Sequence, residues 1–327
     1  CAELPKWLGA PQNLFHDSTM YFLIFGLSTP FFEIVYLMSG MLQSTGNMKF
    51  PAAMNATMCL LDIVFNWLFI FELNLGVKGA ALGSAAAAFA TALTMAVYTL
   101  RFSDYLNLKN FKNFSMSRHC VFKAIKLAVP VGLESSAFSG ALVIVAKIIA
   151  PLGAVAIAAN SFATTAESLC YMPGYGVQEA AGTLVGQSYG AKRRDLSKSF
   201  SIITIASGIL IMSVIGVAMY FLCPFVFQFL TPDTEIQNLS VKILRIELFA
   251  EPMFAAAIVS TGVLRGKGDT LVPSILNLIS LWIVRLGISV WLVNPFGLTG
   301  IWIAMAIELC FRGTILLIRV LRTQEIS

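Results

Sequence analysis

Charge is what this sequence has least of. Only 12% of its 327 residues are Asp, Glu, Lys or Arg, about half the share of an ordinary soluble domain. The deficit lies in long apolar stretches between short polar turns, and those stretches lack the polar stripe that a soluble helical bundle turns to water. A soluble fold is thereby excluded. Two histidines, His16 and His119, are too few for a His/Cys zinc site. The six cysteines (Cys1, Cys59, Cys120, Cys170, Cys223 and Cys310) are scattered with no CxxC pair, and they read as small buried apolar side chains. The chain contains no HExxH, no GxSxG and no carboxylate pair with a histidine, so an enzyme reading has no chemistry to stand on.

What is present is apolar mass: 57% of residues are hydrophobic and the mean hydropathy is +0.80. About 20 apolar residues at a helical rise of about 1.5 Å match the hydrocarbon thickness of a bilayer. Segments meeting that length fall near 18–43, 51–71, 76–100, 122–150, 154–188, 198–230, 236–264, 271–293 and 299–321. The sequence therefore predicts an all-α polytopic membrane helix bundle with about nine spans present. The formal charge of +5 is not a nucleic-acid signal, because the basic residues occupy alternate loops. One side holds Lys49, then Arg101 to Lys126, then Lys192, Arg193, Arg194 and Lys198, then Arg265, Lys267, Arg319 and Arg322. The other holds Glu72, Lys78, Asp233 and Glu235. The positive-inside rule puts the basic loops and the C-terminus in the cytoplasm of a cell (inner) membrane.

The first three spans match the last three. A shift of 222 residues pairs Pro30 with Pro252, Gly40 with Gly262, Gly46 with Gly268, Pro51 with Pro273 and Asn55 with Asn277; a shift of 221 pairs Gly76 with Gly297 and Gly79 with Gly300. Proline mid-span weakens the helical ladder, and glycine permits turns and close helix contact. Both copies run in the same direction across the membrane, as in transporters built from two similar lobes. The expected organisation is the second half of an N-lobe over 1–100, a cytoplasmic linker over 101–121 and a six-helix C-lobe over 122–327. The chain opens on Cys1 rather than methionine. With the repeat, this reads as a twelve-helix protein seen without its first three helices.

Ionisable groups at mid-bilayer cost about 2.5–3.5 kcal/mol on insertion scales, so each is a functional candidate. Asp62 lies mid-span, with Asn66 one turn on and on the same face. An acid and an amide oxygen can replace the water shell of a small cation; the plainer reading is a hydrogen-bonded pair between helices. Glu134 follows Pro130 by one turn, and Arg285 is one partner available to it. Glu251 adjoins Pro252, with Glu247 a turn earlier, and Glu33 lies three residues after Pro30. For Glu33 and Glu247, interfacial or pairing roles weigh as much as substrate contact. Tyr175, Gln178 and Glu179 follow a Met-Pro-Gly break, where the roles open to them are lining a cavity and shaping the loop. Thirteen methionines and twenty-five phenylalanines suit a plastic apolar cavity, although most must face lipid or pack.

Three stretches carry a family resemblance. One is the turn Gly40-Met41-Leu42-Gln43-Ser44-Thr45-Gly46-Asn47-Met48-Lys49-Phe50-Pro51, with its partner from Gly262 to Pro273. Another is Gly76-Val77-Lys78-Gly79-Ala80-Ala81. The most specific is Met172-Pro173-Gly174-Tyr175-Gly176 followed by Val185-Gly186-Gln187-Ser188-Tyr189-Gly190-Ala191. In this order they resemble the multidrug and toxic compound extrusion (MATE) family over nearly the whole chain. The resemblance implies a twelve-helix, two-lobe antiporter, with no cofactor, that exports organic cations, drugs or other amphipathic compounds against inward Na⁺ or H⁺. It implies that Asp62, Asn66 and Ser84 contribute to an ion site. It implies also that Glu134, Glu251, Gln178, Tyr175, Arg285 and Glu33 serve substrate or coupling in the cavity. The expected partners are small-molecule drugs and membrane lipid, with no nucleic acid, and a monomer is expected. A lipid-linked precursor flippase of the same superfamily is the alternative, and it calls for a strongly cationic cavity.

Overall fold

A computed structural model describes residues 15–103, 106 and 117–326. The chain forms two compact units, Cys1–Ser115 and Met116–Ser327. In the first, α1 (Phe15–Ser44), α2 (Lys49–Trp67, continued by a π-helical turn over Leu68–Glu72) and α3 (Gly76–Arg101) form a three-helix sheaf. α3 is the centre of it, packing on α1 and α2, because its inward stripe of Gly79, Ala81, Gly83, Ala87, Ala88 and Ala92 is small and buried. A Cβ on Gly79 would lie 2.7 Å from the carbonyl oxygen of Phe69, so only glycine lets the two backbones come this close.

The second unit contains α4 (Arg118–Ile149), α5 (Ala154–Gly190), α6 (Arg194–Leu230), α7 (Thr234–Leu248), α8 (Glu251–Gly266), α9 (Leu271–Ile279), α10 (Leu286–Phe296) and α11 (Leu298–Ile326), with a π-helical stretch Ser280–Arg285 joining α9 to α10. α5 and α8 are its interior. They meet through glycines four residues apart on each helix: a Cβ on Gly266 would lie 2.7 Å from the oxygen of Gly182, and one on Gly186 would lie 3.2 Å from that of Gly266. Gly262 likewise abuts the Gln178 backbone, its would-be Cβ 2.5 Å from the oxygen. This reciprocal small-residue contact takes the place of the hydrophobic force that lipid cannot supply between helices. α6 and α11 flank the pair.

Seven helical segments among the described residues are long and apolar enough to cross a membrane, against the nine spans expected. The two that fall short are α5 and the α7–α8 pair. The chain turns at Phe249–Ala250 between α7 and α8, where Pro252, lacking a backbone N–H, sits in the first turn of α8. These are also helices of the packed interior, where polar residues need not face lipid. Proline does not always break the helix: Pro30, Pro130 and Pro173 lie inside continuous helices. The expected break at Met-Pro-Gly is therefore absent. Cysteine burial also departs from expectation in part. Cys170 and Cys223 are buried, but Cys59 and Cys120 are exposed on apolar helix surfaces of the kind that face lipid.

The internal repeat is present in the backbone. Gly46 and Gly268 have φ of 89° and 85°, and Gly76 and Gly297 have φ of 53° and 57°. In the two turns, Gly46 N donates to Gln43 O at 2.9 Å and Gly268 N to Arg265 O at 2.9 Å; Asn47 N reaches Leu42 O at 3.1 Å and Asp269 N reaches Leu264 O at 3.0 Å. Asn47 and Asp269 then cap the next helix in the same way, each side-chain oxygen accepting from the backbone three residues on at 3.3 Å. Positive φ is costly with a Cβ, which is why glycine recurs at these positions. Most of the expected linker over 101–121 lies outside the described residues, Lys109 and Lys112 among them.

Candidate functional site

In the first unit, Asp62 on α2 accepts a hydrogen bond from Ser84 on α3, Ser84 Oγ to Asp62 Oδ1 at 2.7 Å. Asn66, one turn further along α2, packs its side chain against Gly83, and its Oδ1 is buried without a hydrogen-bond partner. The three residues therefore share one seam between α2 and α3. They present an acid oxygen, a hydroxyl and a free amide oxygen, the donor set that small hard cations prefer. Glu33 stands apart from them, exposed on α1.

The second unit holds a cavity of about 320 Å³ whose lining includes Glu134, Phe138, Tyr175, Gln178, Phe254 and Arg265. Glu134, on α4, is its polar centre. One carboxylate oxygen accepts from Arg265 Nη2 at 2.8 Å and from Ser274 Oγ at 2.5 Å; the other accepts from Asn277 Nδ2 at 2.7 Å. Its ionic partner is thus Arg265, at the end of α8, and not Arg285. Of the expected cavity residues, Glu134, Tyr175 and Gln178 line this space. Glu251, Arg285 and Glu33 do not.

Glu251 and Arg285 belong instead to a buried polar cluster in the interior of the same unit. Glu247 and Glu251, on either side of the Phe249–Ala250 turn, are fully buried, and all four of their carboxyl oxygens lack a hydrogen-bond partner. Of the roles open to Glu247, an interfacial position and a hydrogen-bonded pairing are not what the structure shows. Glu167 on α5 is buried, within electrostatic reach of Glu247, Glu251, Arg285 and Arg312. Glu308 on α11, also fully buried, accepts from Ser280 Oγ at 2.5 Å and pairs with Arg312 Nε at 3.1 Å. Arg285 Nη2 reaches Met305 Sδ at 3.0 Å. Arg312 in turn lies 5.3 Å above the Phe254 ring, at the wall of the cavity. Four buried carboxyls thus share two guanidiniums, and an excess of buried charge of one sign is costly unless a proton or cation joins it.

Sequence reasoning passes over Glu167, Glu308 and Arg312. The signal is there, since all three lie inside apolar spans and Glu308 and Arg312 are spaced i, i+4. The three donors to Glu134 are a different matter, because Arg265 reads as part of a cytoplasmic loop and Ser274 and Asn277 as ordinary helix residues. Among the described residues, no group of three or more His, Cys, Asp or Glu converges to hold a metal ion.

Apolar helices of membrane length, a three-helix pattern that occurs twice and buried charges together define a polytopic α-helical membrane protein. The comparison with known proteins makes this specific. The MatE family model matches residues 2–68 and 130–291, and the chain belongs to that family, whose members are transporters and not enzymes. It is 30% identical over 302 residues to the "Probable multidrug resistance protein NorM" of Thermotoga maritima, covering 88% of this chain and 63% of that protein. It is 25% identical over 275 residues to the "Multidrug resistance protein NorM" of Aliivibrio fischeri, covering 81% and 60%. The chain therefore spans less than two thirds of the length of these relatives. Among solved structures, a MATE protein in the bent conformation superposes with a TM-score of 0.89 at 18% identity, over 99% of this chain and 72% of that one. The Vibrio cholerae MATE transporter VcmN in its bent form gives 0.84 at 18%, over 99% and 74%. These likenesses establish the fold.

Proposed function

We propose that the whole protein to which this chain belongs is a cation-coupled antiporter of the cell membrane that exports drugs or other amphipathic organic cations by alternating access. The reading is supported by family membership, by relatives named for multidrug resistance, and above all by carboxyls held in otherwise apolar helices. A buried carboxyl can exchange a proton or small cation between two conformations, and an inward-moving charge yields about 2.3 kcal/mol per 100 mV of membrane potential. Two stations serve this exchange. The seam of Asp62, Asn66 and Ser84 suits Na⁺ or H⁺, and the pair Glu247 and Glu251 suits H⁺, because their four buried carboxyl oxygens have no hydrogen-bond partner to hold them as anions. Substrate enters the aromatic cavity beside Glu134, and ion and drug favour opposite states of one cycle. The basic loops and the C-terminus lie in the cytoplasm on this reading, and the protein acts as a monomer.

The flippase alternative requires a strongly cationic cavity. In the second unit each cavity arginine is answered by a carboxylate, Arg265 by Glu134 and Arg312 by Glu308, so the space is charge-balanced and favours efflux. The test is drug susceptibility of an efflux-deficient bacterium carrying the full-length gene. The wild type is expected to raise the inhibitory concentration of cationic dyes and drugs, and Asp62→Asn and Glu134→Gln to return it to the empty-vector level at normal expression. Unchanged susceptibility with the wild type would count against the reading, and altered cell-wall precursor levels would favour the flippase.

A further inference from the structure

The cavity of the second unit already contains the kind of group that it is shaped to receive. Arg265 places a guanidinium on the Glu134 carboxylate by a single contact of 2.8 Å. Its side chain is 28% exposed, and its buried Nε has no hydrogen-bond partner. A guanidinium suited to a two-pronged grip on a carboxylate is here held by one prong. Beside it, Asn277 gives its amide N–H to Glu134 while its own Oδ1 is buried and unpartnered. A second acceptor thus stands next to the carboxylate, unused by Arg265. The walls are flat: Phe138, Tyr175 and Phe254 line the space, and Phe254 already carries the guanidinium of Arg312 on its face. A volume of about 320 Å³ is at the small end of ligand pockets. It matches a compact aromatic cation.

We infer that Arg265 is a resident competitor in a subsite for aromatic amidinium or guanidinium compounds, displaced from Glu134 when such a ligand enters. The ligand's paired N–H groups meet the Glu134 carboxylate and Asn277 Oδ1 together, which the single contact of Arg265 does not achieve. One positive charge replaces another, so the cavity stays balanced through the exchange. The displaced guanidinium has somewhere to go. Glu179, exposed on α5, lies within electrostatic reach of Arg265, and Arg265 sits at the C-terminal end of α8, where the helix dipole favours a cation. Ligand entry thereby moves a contact from α4 to α5 and frees α4, which is otherwise packed chiefly on α9, to swing from the cavity. This inference rests on the efflux reading and specifies its substrate class.

The test is binding of benzamidine and of benzyltrimethylammonium, equal in charge but differing in N–H donors, to the full-length protein in lipid nanodiscs by titration calorimetry. Benzamidine is expected to bind the wild type more tightly, and Glu134→Gln to abolish that preference. Arg265→Gln is expected to tighten benzamidine about fivefold, the size set by release from a partly exposed ion pair. Glu179→Gln is expected to weaken benzamidine in the wild type but to have no effect in the Arg265→Gln background, where no guanidinium needs a landing place. Arg265→Lys, which keeps the charge and loses the fork, is expected to fall between. The inference is overturned if Arg265→Gln leaves benzamidine binding unchanged or weaker at an unchanged melting temperature, or if the Glu179→Gln effect survives in that background. Should Arg265→Gln fail to fold, the wild-type ligand preference and the Arg265→Lys affinity decide the matter. Efflux of other drugs by a wild type indifferent to the two probes sinks only this inference; no efflux of any compound sinks the broader one.

Discussion

The two copies of the three-helix repeat share a backbone and differ in the charges they hold. Each begins with a proline-bearing segment, turns at a left-handed glycine, caps the next helix with Asn47 or Asp269 and enters the last helix through a second left-handed glycine. Even the tie from the capping residue to the last helix recurs: Asn47 reaches Tyr98 Oη at 3.4 Å, and Asp269 meets Arg319 at 3.2 Å. The interiors diverge. Pro30 lies within an unbroken helix, whereas Pro252 lies at a break flanked by two buried glutamates. Ser84 in the first copy binds an acid, Asp62; its counterpart Met305 contacts a base, Arg285. Turn geometry is thus the repeated framework, and each copy's interior has acquired its own electrostatics upon it.

Substitutions at three places in the repeat sharpen that contrast, in decreasing size of effect. Arg312→Met removes the ion-pair partner of the fully buried Glu308, which should destabilise the purified protein by about 3–5 kcal/mol; adding Glu308→Leu should restore much of the melting temperature. At the equivalent position of the first copy, Thr91→Met is expected to do far less, since no charge depends on Thr91. A similar loss at both positions would mean that packing and not charge governs this helix. Gly46→Ala and Gly268→Ala each place a Cβ at positive φ and should cost about 1–2 kcal/mol apiece. Their melting shifts should be equal, and clearly unequal shifts would break the claim of a shared turn. Smallest is Asp269→Asn, which makes the second turn resemble the first. It keeps the cap, because Asn and Asp cap equally well, and removes a partly exposed ion pair with Arg319 worth about 0.2–1 kcal/mol. The melting temperature should lose its dependence on salt at that turn, and a large fall at every ionic strength would contradict this.

Much of the architecture was legible because its causes are local. Gly46, Gly76, Gly268 and Gly297 mark the turns because only glycine adopts positive φ without strain. The span limits follow from runs of apolar residues matched to lipid. Where the reading missed, the cause was not local. Pro173 looked like a break but remains helical, because packing of α5 on α6 and α8 holds the ladder that proline weakens. Glu134 looked like a partner for Arg285 because both lie mid-span, yet its ligands come from residues 131, 140 and 143 positions away. Asp62 and Ser84 were brought together from residues 22 apart, a distance that two adjacent helices and one turn nearly fix.

The sequence by itself determined that this chain lies in a membrane and that its first three spans repeat in its last three. Bilayer thickness and backbone sterics act on each short stretch independently of the rest. Only the tertiary structure decided which charges meet: that Arg265 answers Glu134, that Glu308 answers Arg312, and that Glu247 and Glu251 are left without partners. Those meetings depend on the rotation of each helix about its axis and on how closely glycines let neighbours approach, and both are properties of the packed bundle as a whole.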